Sequence, residues 1–232
     1  MTLDGLIRAV ALRMDEITPD NGYIIPVDGS DNNPLYELIK GVIPDAVRNL
    51  YAVAPYWRLP QSSVTQDTSH MSLQTIFEGS AYERKKLRIK IGDDFLRLCE
   101  IKYTGFSRPI TEVYPEQSEE ARRQHNPYLV GKTAKPVAVL TYGNWGDPSV
   151  TSKEIDCYSL PQNASLTVAN VLAYYIAKPA EIASTGENAV EAVVPAVLIP
   201  ALEWLAASLA FSARGDANHS AICTQNAQNL LA

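Results

Sequence analysis

Residues 83–110 read ERKKLRIKIGDDFLRLCEIKYTGFSRPI. Leu87, Ile89 and Ile91 alternate with Lys86, Arg88 and Lys90. Successive side chains on an extended chain point to opposite faces, so this spacing predicts a half-buried β-strand. Past Gly92, Cys99, Ile101 and Tyr103 oppose Leu98, Glu100 and Lys102 in a second strand. Phe95 and Leu96 lead into it, with a slip in register or a bulge predicted near Leu98. Asp93 and Asp94 form the best acid pair in the chain. Acid–base catalysis needs carboxylates that face each other across a cleft with separated pKa values. Neighbours on an extended chain diverge instead, and after a glycine they make a turn. The stretch reads as framework.

Outward from it, more strands are predicted on both sides. HMSLQTIFEG (70–79), KPVAVLTYGNW (135–145) and EIDCYSLP (154–161) show strand patterning, and SLTVANVLAYYIAKP (165–179) is rich in β-branched and aromatic residues. The charged stretch 112–135 reads as a long connection with one helical turn. The flanks carry a different period. Leu3, Leu6, Ile7, Val10, Ala11 and Met14 share one helical face. Pro34 opens a second helix, and Pro44 is expected to kink or restart it. Near the end, Leu202, Leu205, Ala206, Leu209 and Ala210 form a face after Pro200, and 216–231 reads as a last helix. Sheet between helices argues an α+β fold: helical N- and C-terminal segments around a central antiparallel sheet or sandwich. The boundaries fall at 1–58, 59–195 and 196–232, within one cooperative unit.

Composition narrows the function classes. The chain has 232 residues, 46% apolar and 20% charged, with a net charge of −6. That is enough to bury a core, and it offers no overall excess of cations for nucleic acid. The one basic cluster is Arg84, Lys85, Lys86, Arg88 and Lys90. It is either a solvated strand face or a patch for an acidic partner or nucleic acid. Cys99, Cys157 and Cys223 are scattered and lack C-x-x-C spacing, so they read as buried thiols in a reducing cytoplasm. The sequence has no phosphate-binding glycine loop, no H-E-x-x-H and no G-x-S-x-G. His70, His125 and His219 lie in separate segments. No cofactor, metal site or catalytic residue is called for. Residues 1–16 lack the pattern of a signal peptide. The apolar run 193–213 is broken by Pro195, Pro200 and Glu203, which argues a loop feeding a buried helix and not a membrane span. Trp57 and Trp145 are of the residue type that favours interfaces.

Taken together, DDFLRL, IKYTGFSRPI, QHNPY, GKTAKPVAVLTY and CYSL in the middle, with PALEWLAASLAFSARGDANHSAICTQNAQNLL at the end, resemble the head–tail adaptor or ring proteins of tailed bacteriophages, in particular those of crAss-like phages. The resemblance runs through 83–232, more faintly through 3–54, and consists of framework patterns. It implies a virion protein without enzymatic activity that stacks as a ring, usually of twelve subunits, beneath the portal. It implies contacts with itself, the portal and the next tail or ring component, and double-stranded DNA passing non-specifically through the lumen. An acidic chain suits such a channel, since negative walls repel phosphates. Arg97 and Arg108 are then candidate inter-subunit pairs, and the long connections 55–70 and 113–136 candidate clasps. Rival readings are a tail terminator or head-completion protein, a small hydrolase using Asp93 or Asp94 with His125, and a monomeric carbohydrate-binding module with Trp145 as platform.

Overall fold

A computed structural model describes residues 1–17, 34–63, 70–143, 152–167 and 171–232. In chain order the elements are α1 (Leu3–Ile17), α2 (Pro34–Val53), β1 (Ser62–Ser63), β2 (Met71–Ile76), β3 (Arg84–Lys90), β4 (Phe95–Tyr103), β5 (Val113–Pro115), α3 (Glu119–Arg123), β6 (Val137–Gly143), β7 (Ser152–Leu160), β8 (Val171–Ala177), α4 (Ile199–Ala213) and α5 (Ala217–Leu231). The fold is α+β, with helices at both ends of the chain and strands between. The chain divides into two compact units: a helical one made of Met1–Pro60 with Lys178–Ala232, and a sheet one made of Gln61–Ala177. The last strand ends at Ala177, so 178–195, placed with the sheet from sequence, folds with the helices.

In the helical unit, the face predicted for α1 is the buried one: Leu6, Ile7, Val10 and Met14 are inaccessible to solvent. Thr2 accepts the Gly5 amide through its hydroxyl (3.0 Å) and caps the helix start. α2 runs through Pro44 as one helix instead of restarting there. Its buried residues Ile39, Ile43, Ala46, Val47 and Leu50 stay in phase on both sides of the proline. Lys40 and Pro44 lie on the exposed face, so the carbonyl left without the proline's N–H faces outward and away from the core. α4 packs against α1, α2 and α5 and is buried on most sides. Glu203, the acid inside its apolar run, is paired with Arg13 at 3.0 Å, and Arg13 also lies over the Trp204 ring at 5.2 Å. Gly215, at φ +80, ends α4. Asp216 then caps α5 by accepting the His219 amide.

In the sheet unit, the described strands form two sheets, one in the order β1-β8-β4 and one in the order β2-β3-β7-β6-β5. Their inner faces share one apolar cluster. Leu87, Ile89, Ile155 and Cys157 come from the larger sheet, and Phe95, Ile101, Val171 and Ala173 from the smaller. Each large side chain so buried contributes about 1.5–3 kcal/mol. The chain passes from one sheet to the other at Gly92–Asp94, where the Phe95 amide donates to the Gly92 carbonyl (3.1 Å). A Cβ on residue 92 would meet the Asp94 carboxylate oxygen at 2.3 Å, so a substitution there would displace that side chain. β4 shifts register between Phe95 and Arg97 and again between Leu98 and Glu100, at the place its pattern slips.

The larger sheet is mixed and not purely antiparallel, because β5 runs parallel to β6. Parallel neighbours need a crossover, and residues 116–136, with α3, supply it. This segment packs on its own sheet: Ala121 and Val130 bury against Val139 and Tyr158. Within it, the Gln124 side chain donates to the Glu120 carbonyl (2.9 Å) and accepts the Gly131 amide (2.8 Å). Residues 116–136 therefore fold as a crossover on their own sheet.

Candidate functional site

The predicted basic cluster lies on β3, and its alternation is real: Leu87 and Ile89 face the core while Lys86, Arg88 and Lys90 face outward. The outward row does not stand free. β3 pairs with β7 in a register that sets Arg88 opposite Asp156 and Lys90 opposite Glu154. Asp156 and Glu154 are each only 1% exposed. Arg88 clasps Asp156 in bidentate fashion, Nε to Oδ1 at 2.8 Å and Nη2 to Oδ2 at 3.0 Å, and Lys86 Nζ donates to the same Oδ2 at 2.6 Å. Arg88 Nε also lies 3.1 Å from Glu154. Lys86 sits over the Tyr158 ring at 5.7 Å. Burial raises the pKa of Asp156, but the hydrogen bonds from Arg88 and Lys86 outweigh this and hold it below the ordinary carboxylate value. Burial pushes the Tyr158 hydroxyl up to about 12.

Two buried acids and two cations thus form an internal charge ladder. Of the others, Lys85 Nζ donates to the Ala164 carbonyl (2.9 Å), and Arg84 contacts the Glu83 carbonyl (3.5 Å). The cluster is chiefly a framework of the outer sheet face. The acids that explain it fall within a predicted strand, EIDCY. Their one signal is that acids alternate with apolar residues along β7, which buries both faces.

The candidate contact residues are dispersed. Arg97 is half-buried in β4, beside Ile176 of β8, and burial lowers its pKa. Arg108 is exposed on the loop before β5, between two surface cavities of about 310 and 360 Å³. Trp57 belongs to the helical unit and is 66% exposed, edge-on to Tyr56 at 5.3 Å. The next residue, Arg58, anchors this turn by donating to the Leu230 carbonyl of α5 (3.0 Å). Trp145 lies outside the described residues.

The residues weighed for catalysis are not brought together. The Asp93–Asp94 turn follows β3 at the Lys90–Glu154 end of the sheet, whereas His125 follows α3, which packs at the Tyr158 end. Asp94 accepts hydrogen bonds from the Tyr175 hydroxyl at 3.3–3.4 Å. His219 contacts Asp216 at the start of α5 and stacks on Phe211. All three cysteines are buried thiols, and burial pushes that of Cys223 up to about 12. No group of three His, Cys, Asp or Glu side chains suited to a metal occurs among the described residues.

Sequence reading missed a second aromatic feature. Tyr82, on the β2–β3 tip, packs against Tyr128 with ring centres 4.8 Å apart. Tyr128 is 70% exposed and Leu129 57%. No known family profile matches the chain, and no curated protein is significantly similar to it.

Proposed function

We propose that the chain is a structural virion protein of a tailed bacteriophage. In this reading it forms a ring in the head–tail connector below the portal, extends the DNA channel and docks the next tail component. The sequence resemblance suggests it, and one observation carries it: each compact unit displays large aromatic side chains on ordered backbone. Tyr56 and Trp57 do so in one unit, and Tyr82 and Tyr128 with Leu129 in the other. Exposed aromatics of this kind are the anchors of protein–protein contacts. The charge ladder of β3 and β7 supports the same reading, because it spends the most conspicuous ionisable groups on rigidity.

The test is the native mass of the full chain together with negative-stain images. Rings of about twelve copies are expected. A chain that stays monomeric and also fails to join a portal ring overturns the reading.

A further inference from the structure

At one end of the larger sheet the loops beside its two edges differ in charge, although Glu112 and Glu116 flank β5 itself. β2 forms one edge and β5 the other, four strand spacings or about 19 Å apart. The register places the β2–β3 tip and the loops before β5 and β6 at the same end of that sheet.

The tip, 77–83, reads FEGSAYE, with two acids and no cation. It is a built structure. Phe77 (φ 56) and Gly79 (φ 72) turn the chain, the Gly79 amide donates to Glu83 Oε2 (3.0 Å), and Gln162 donates to Glu83 Oε1 (2.8 Å). Tyr82 of the tip packs on Tyr128 of the crossover, and the two form an exposed knob. Glu78 is exposed and makes no ion pair among the described residues.

At the other edge, 104–111 reads TGFSRPIT and 131–136 reads GKTAKP, with three cations and no acid. The Ser107 amide donates to the Thr133 carbonyl (3.0 Å), and the Lys135 amide to the Lys132 carbonyl (2.7 Å), which holds the two loops side by side. Arg108, Lys132 and Lys135 are all exposed, and none makes an ion pair among the described residues. The cavity of about 360 Å³ between these loops is lined by Arg108, Lys135, Glu112, Pro109, Pro136 and Val137, and Lys132 lies outside it. Glu112, the acid on its rim, accepts the Tyr114 hydroxyl (3.0 Å). An apolar-floored groove rimmed by unpaired cations fits an acidic, aromatic protrusion, and the same sheet presents one at its opposite edge.

We propose that copies of this chain associate head to tail, the Glu78–Tyr82–Tyr128 knob of one seated in the Arg108–Lys135 groove of the next. Two different patches on one rigid sheet make a heterologous contact, and such contacts close into rings when the rotation allows. The inference rests on the ring reading above and supplies its contact.

The test is disulfide trapping of the full chain at high concentration. The three native cysteines are buried and do not compete. Glu78→Cys with Arg108→Cys in one chain is expected to give a ladder of dimers, trimers and higher species on a non-reducing gel. Either single variant is expected to stay monomeric. In parallel, Arg108→Glu is expected to lower the native mass of the assembly, and Glu78→Arg added to it to restore that mass by exchanging the charges. Rings from the wild type without a ladder from the double variant overturn this contact and leave the ring reading standing. A monomeric wild type without a ladder overturns this contact, and the ring reading falls with it when the chain also fails to join a portal ring. Dimers from Arg108→Cys alone would make the contact symmetric and overturn the proposal. So would a short DNA duplex that wild type binds and Arg108→Glu does not, with the mass unchanged, because the groove would then serve phosphates.

Discussion

Asp156 shows how one residue decides the meaning of two others, Lys86 and Arg88. From sequence, Arg84 to Lys90 presents a basic strand face, and its inward and outward sides were legible from alternation alone. Its partner was not, because Arg88 and Asp156 are 68 positions apart in the chain and meet only through strand register. A carboxylate with 1% exposure, clasped by two cations, behaves unlike a surface ion pair. Removing one member leaves charges buried without compensation. Asp156→Asn is expected to cost about 3 kcal/mol at neutral pH, read from the denaturant midpoint. The sign with pH follows from its depressed pKa. The contribution is present above the ordinary carboxylate range, near pH 4, and is lost as pH falls through the lower folded value. Wild type should therefore hold its midpoint down to about pH 4 and lose it below, and Asp156→Asn should show a shallower acid fall. An equal acid fall in both proteins would mean that the ladder does not hold the sheet.

At the scale of elements, the sequence was most legible where one period ran long. α1 and β3 follow their predicted faces residue by residue, and β4 shifts register on either side of Arg97 and Leu98, where the slip is predicted. Short elements escaped. β5 is three residues, Val113–Pro115, inside a charged stretch, and its parallel pairing depends on a crossover no local pattern encodes. The aromatic knob escaped for the same reason, since Tyr82 and Tyr128 belong to different segments. α2 went the other way. Pro44 signals a break, yet the apolar spacing on its two sides stays in phase, and burial of that common face overrides the local cost. Pro44→Ala should restore the missing hydrogen bond to the Lys40 carbonyl and raise stability by about 1–3 kcal/mol. Unchanged thermal and denaturant midpoints would show that the helix has already relaxed around the proline.

At the scale of the molecule, the sheet unit, Gln61–Ala177, is an insertion in the helical one. The shared apolar cluster of its two sheets lies wholly within it. Residues 61–177 produced alone should therefore melt cooperatively with a β-rich circular dichroism spectrum. A non-cooperative melt would show that it depends on the helices. The pairing of β1 with β8, Ser62 opposite Tyr175 and Ser63 opposite Tyr174, also orders events in time. Joining the two halves of the helical unit across a disordered loop carries an entropic cost that grows with loop length. Once the inserted strands have zipped, its ends are held about one strand spacing apart, roughly 5 Å, and that cost has already been met. The sheet unit should thus consolidate first and the helical unit last. During synthesis α1 and α2 leave the ribosome well before α4 exists, so their apolar faces must wait uncovered, open to chaperones, until the C-terminal helices emerge.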